Sequence, residues 1–161
     1  MISEYLLLFK GSSLFLVKVL IFVFIGLVES YNDTIKMEVH AYFLIAVSVL
    51  IVIFNFFIDR YIFYVTFFGI LAVVVLYLII YIVSSGGVGL GDMVFCSFVA
   101  SIFGIAGGMS VLFLSNWLAA IALLPLYLRK KVSNRTKIPM IPFQYVSGLF
   151  IIILMYCNKN M

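Results

Sequence analysis

Residues 61–83 read YIFYVTFFGILAVVVLYLIIYIV, an apolar run without one charged side chain. About 20 apolar residues in a helix cross the roughly 30 Å hydrocarbon core of a bilayer. A helix also satisfies every backbone donor and acceptor within its own segment, as a span in lipid must. The run is continuous rather than alternating, which argues against a barrel strand. The rest of the chain has the same character. Of its 161 residues, 66% are hydrophobic and 10% charged, whereas a soluble domain is about half apolar and a quarter charged. The expected fold class is all-α: a polytopic membrane protein, one transmembrane domain over residues 1–161, with no room for a soluble domain. The net charge of +4 then reports topology, not nucleic-acid binding.

Working outward from 61–83, apolar runs at 12–29, 41–58, 93–108, 110–128 and 142–157 complete an expected bundle of six helices. Five is the count if 93–128 forms one long span with a re-entrant piece, since Gly104, Gly107 and Gly108 blur that boundary. The first run carries Lys18 and ends in Glu29-Ser30-Tyr31-Asn32 with no small-x-small cleavage site, so it reads as a retained helix. Polar punctuation falls at 30–40, at Asp59-Arg60, at 84–92 and at 129–140. Loop 129–140 holds Arg129, Lys130, Lys131, Arg135 and Lys137, which places it in the cytoplasm. Six spans then put 30–40 and 84–92 on that same side, with Lys36. Lys10, Arg60, Lys159 and both termini fall outside.

The chain has six acids: Glu4, Glu29, Asp33, Glu38, Asp59 and Asp92. Parity places Asp33 and Asp92 on the cytoplasmic face and Asp59 on the other. Asp92 follows Gly89-Leu90-Gly91 at the mouth of a span, and an acid there is costly and usually functional. Two neighbouring carboxylates share a proton, so one can activate water while the other polarises a peptide carbonyl. That chemistry needs no metal or other cofactor. The plainer alternatives are a solvated or helix-capping role for Asp33, an N-cap role for Asp92, a surface ion pair for Asp59-Arg60 and an interfacial position for His40. Glu38 either shapes the site or faces water. Cys96 and Cys157 form no CxxC pair and read as small buried hydrophobes.

Gly89-Leu90-Gly91-Asp92 resembles the GxGD motif of the type IV prepilin peptidase family, membrane aspartyl proteases that include the preflagellin peptidases. Asp33-Thr34-Ile35-Lys36-Met37-Glu38-Val39 resembles the family's other catalytic element, and Ile138-Pro139-Met140-Ile141-Pro142-Phe143 its Pro-x-x-Pro-aromatic segment opening the last helix. The separation of Asp33 and Asp92, 59 positions with two spans between, is similar to the family's. Two departures stand out: Val94 where the family commonly has lysine, and Val39-His40-Ala41 where it has an Ile-Pro-Asn-like stretch.

The resemblance implies an aspartic endopeptidase with Asp33 and Asp92 as catalytic pair. Gly89, Gly91, Glu38, Pro139 and Pro142 are expected to shape the site or bind substrate. The implied substrate is a prepilin or pseudopilin with an N-terminal apolar helix, its leader cut at the cytoplasmic face of the cell membrane. The paired CxxC motifs associated with N-methylation in larger members are absent, which implies peptidase activity alone. The competing expectations are an inactive relative serving pilus or secretion assembly, which Val94 keeps open, and a small ion-coupled transporter, which would place its acids mid-span.

Overall fold

A computed structural model describes residues 12–84, 88–128 and 138–159. Over these residues the chain is all helical: α1 Ser12–Lys36, α2 Ala41–Ile58, α3 Arg60–Val83, α4 Leu90–Leu128 and α5 Ile141–Lys159. Four, α1 to α4, are long and apolar enough to cross a membrane, and α5 contributes a shorter apolar stretch, Ile141–Cys157. The basic loop on which the expected orientation rests, Arg129 to Lys137, lies outside the described residues, as does Lys10.

The bundle is apolar outside and carries its polar groups within. Phe24, Phe57, Val83 and Trp117 are exposed, while Lys18, Glu29, Asp33, Asn55, Thr66 and Gln144 are buried. This is the distribution a chain adopts when its surroundings are hydrocarbon and buried polar groups need protein partners.

The turn between α2 and α3 is one residue long. Asp59 is extended (φ −156°) and its Oδ1 accepts a 2.7 Å hydrogen bond from the Tyr61 N–H, the N-cap of α3. The expected Asp59–Arg60 ion pair does not form, because the carboxylate serves the helix terminus instead.

The six separate spans expected from the sequence are not what forms. Runs 93–108 and 110–128 are one helical element, α4, broken at Gly104 (φ 71°, ψ −172°). Only glycine adopts that backbone readily. The chain folds back there. In a straight helix Cys96 and Gly108 would stand about 18 Å apart, yet the Cys96 Sγ–H reaches the Gly108 carbonyl at 3.4 Å. A Cβ on Gly108 would lie 2.6 Å from that of Ala100. No polar loop was needed to reverse the chain, so no break in hydropathy marked it. α3 presses on the reversal: a Cβ on Gly69 would lie 2.6 Å from the Ile105 nitrogen.

The core is aromatic. Phe22 on α1 packs edge-on to Phe103 of α4 (5.5 Å between centroids) and against Tyr145 of α5 (5.6 Å). Gly148 leaves room for the Phe22 ring and Gly26 for that of Tyr145, so α1 and α5 approach closely. Cys96 is buried as expected, but Cys157 is exposed, because it lies on the outer face of α5.

Candidate functional site

Three helix ends converge at one end of the bundle: the C-terminus of α1 and the N-termini of α4 and α5. α1 continues through 30–36, which had been expected to be loop, so Asp33 sits in its last turn and is buried. A carboxylate at a helix C-terminus is unfavourable beside its own dipole and favourable at another helix's N-terminus. Asp33 takes the second position. Its Oδ2 accepts the Ile141 N–H at 3.0 Å, and the carboxylate also faces the Met140 N–H.

The opening of α5 shows why Asp33 fits. Pro142 has no N–H to satisfy. The N–H groups of Phe143 and Gln144 both reach the Met140 carbonyl at 3.1 Å. The donors left over, on Met140 and Ile141, are the ones that meet Asp33. Pro139 immediately precedes this N-cap, half-buried.

Asp92 is the third residue of α4. Its backbone N–H bonds the Gly89 carbonyl at 3.2 Å, and its carboxylate folds back towards the Gly89 N–H. This is one half of a capping box, so its capping position is the third of the helix rather than the N-cap. The Gly89 hydrogen matters here: a Cβ would lie 2.9 Å from Asp92 Oδ2. A Cβ on Gly91 would lie 2.7 Å from Val39 Cγ2, so Gly91 lets the 37–40 turn lie against the first turn of α4.

The structure thus brings Asp33 and Asp92 together. Each lies within electrostatic reach of the other, with no direct hydrogen bond between them among the described residues. Asp59 lies at the opposite end, capping α3. Glu38 is exposed on the 37–40 turn.

Three further residues belong to this end. Glu29, one turn before Asp33 on the same face of α1, is 1% exposed and acts electrostatically on it. Its carboxylate holds His40 twice, Oε2 accepting from the His40 backbone N–H and Oε1 meeting Nδ1, both at 3.1 Å. His40, expected to be a simple interfacial residue, is tied down at one edge. Gln144 of α5 is fully buried. Its Nε2 donates to Tyr77 Oη at 2.8 Å and to the Asp92 carbonyl at 3.4 Å, while its Oε1 is a buried acceptor with no donor among the described residues. The spacing of Glu29 and Asp33, four apart in a helix, was the available signal for the first. An amide two places after Pro142 in an apolar run was the only one for Gln144.

An apolar groove of about 460 Å³ runs between α1 and α2, lined by Leu20, Ile21, Phe24, Ile25, Val28 and Phe43, with Glu29 at its polar edge. Comparison with family models, with curated proteins and with solved structures gave no match.

Proposed function

We propose that this protein is a membrane aspartyl endopeptidase that removes the leader of prepilin-like substrates at the cytoplasmic membrane face. The observation that carries the reading is that Asp33 and Asp92, 59 positions apart, stand at one end of the bundle around the start of α5, where Asp33 accepts the Ile141 N–H and Gln144 donates to the Asp92 carbonyl. Peptide hydrolysis by such a pair needs one ionised and one protonated carboxyl. The ionised group takes a proton from water, the water oxygen attacks the scissile carbonyl carbon, and the protonated group donates a hydrogen bond to the carbonyl oxygen. Return of the proton to the departing nitrogen completes cleavage.

The site's position suits a substrate whose polar leader gives way to an apolar helix. The carboxylates stand at helix ends, where lipid gives way to water, and the α1–α2 groove, whose polar edge is Glu29 one turn before Asp33, offers an apolar wall. The test is cleavage of a model prepilin by purified protein in liposomes, with Asp33→Asn, Asp92→Asn and Asp59→Asn in parallel. The first two abolish cutting and the third does not. Cutting that survives Asp33→Asn excludes the pair.

A second reading, an assembly subunit without catalysis, has one observation in its favour: both carboxylates already serve helix termini. It requires that the unmodified protein, folded and in liposomes, cut none of a panel of prepilins.

A further inference from the structure

The two carboxylates stand on different helices, and something must hold those helices in register. We infer that Glu29 and His40 form a latch that positions the Asp92 turn of α4 against the Asp33 turn of α1. Its catalytic consequence rests on the peptidase reading; its mechanical part does not.

The latch is a continuous chain of contacts. It starts on α1, where Glu29 lies one turn from Asp33 on the same face. The Glu29 carboxylate grips the backbone N–H and Nδ1 of His40. Asn32 Nδ2 also approaches Nδ1, at the longer distance of 3.4 Å. Of the two contacts at Nδ1, the shorter, to the Glu29 carboxylate, is the one that joins α1 to the turn. Fixing His40 fixes its neighbour Val39. Met37, at φ 53°, gives the turn its reversal after α1, and Val39 is carried onto Gly91, where only a hydrogen leaves it room. Gly91 precedes Asp92. Each link spans one contact, and together they join Asp33 to Asp92 without passing through α5.

The energetics favour a latch over an incidental pair. Glu29 is buried, and a buried carboxylate is retained only when its acceptor sites are used. Both oxygens are spent on one residue at the start of the next helix. His40 is mostly exposed, with 62% of its side chain accessible, so its packing does not fix it and the carboxylate does. Glu29 and His40 touch neither the scissile bond nor the reacting water in this scheme. They are positioning residues.

The experiment replaces the latch with a covalent bond. A Cβ on Gly91 would lie 3.2 Å from the Val39 Cβ, close to the roughly 3.8 Å a disulfide spans. The double variant Val39→Cys, Gly91→Cys is made in full-length protein on a Cys157→Ser background, because Cys157 is exposed. Its rate of disulfide formation under mild oxidant reads the register directly and needs no activity. Adding Glu29→Ala slows that rate if the latch exists. Adding Glu29→Gln does not, because the amide oxygen still accepts the His40 N–H.

Cleavage supplies the second readout. Glu29→Ala alone lowers kcat by about 100-fold, as displacement of a reacting group by about 1 Å does, with KM little changed. Equal disulfide rates with and without Glu29→Ala overturn the latch. Slowed disulfide formation in a protein that cuts no prepilin keeps the latch and removes the peptidase.

Discussion

The two ends of the bundle are both polar and both buried, yet they are built differently. At the far end Lys18 Nζ donates to Asn55 Oδ1 at 2.8 Å, and Asn55 Nδ2 donates to Thr66 Oγ1 at 3.3 Å. Thr66 in turn bonds the Ile62 carbonyl of its own helix at 2.9 Å. This is a side-chain ladder across α1, α2 and α3, running from helix interior to helix interior. At the near end the carboxylates of Asp33 and Asp92 face backbone N–H groups at helix termini, and Gln144 Oε1 is left without a donor among the described residues. A closed ladder ties helices together. An end whose carboxylates hold helix termini joins helix ends rather than helix interiors.

The difference can be broken most sharply by exchanging carboxylates for amides. Asp92→Asn is expected to lower cleavage by about 10³-fold or more, the scale of lost acid–base catalysis, while its thermal unfolding in detergent moves little. Asp33→Asn behaves alike, since its side-chain oxygen still meets the start of α5. Asp33→Ala both stops cleavage and lowers stability, and the gap between the two Asp33 variants in the same melt isolates the cap.

The far end is expected to respond the other way. Asn55→Ala strips the Lys18 ammonium of its acceptor and costs about 2–3 kcal/mol, read from denaturation in mixed micelles. Surviving molecules keep their turnover number. A fall in turnover larger than the loss of folded protein would show that the two ends are coupled. Gly69→Ala tests the seat of α4, because the added methyl meets backbone at Ile105 and not a movable side chain. It should cost about 1–3 kcal/mol, seen as a lower melting temperature. The smallest effect belongs to Asp59→Ala, which removes the α3 cap for about 1 kcal/mol and leaves cleavage unchanged.

Much of the carboxylate end was legible in the sequence. Gly89-Leu90-Gly91-Asp92 marked a helix start because glycines interrupt an apolar run there. Asp33 followed from spacing and parity, and Pro142 marked the last helix because it tolerates only the first turn. Glu29 was not legible in its role. An acid near the end of an apolar run reads as the edge of the membrane, and only the fold shows that α1 continues past it to Lys36. Asp59-Arg60 suggested an ion pair by adjacency, whereas the backbone of a one-residue turn needed the carboxylate more. The reversal at Gly104 was legible only in part: glycines blurred that boundary and allowed a re-entrant piece, but no polar residue announced a turn. Gln144 was hidden because its partners, Tyr77 and the Asp92 carbonyl, lie 67 and 52 positions away.

That reversal also bears on biogenesis. The arm over 90–103 extends only about 21 Å at about 1.5 Å per residue, short of the roughly 30 Å a lone span requires. Its Phe95, Cys96, Phe98, Val99 and Ala100 are wholly buried, while the returning arm presents Phe113, Trp117, Ile121 and Leu124 outward. Lipid therefore meets the second arm, and the first has only protein to dissolve in. The two must leave the translocon together, which makes Asp92 the passenger of residues synthesised after it. A chain truncated after residue 110 and released into membranes is expected to leave Asp92 accessible to an impermeant carboxyl reagent, and one truncated past 128 to protect it.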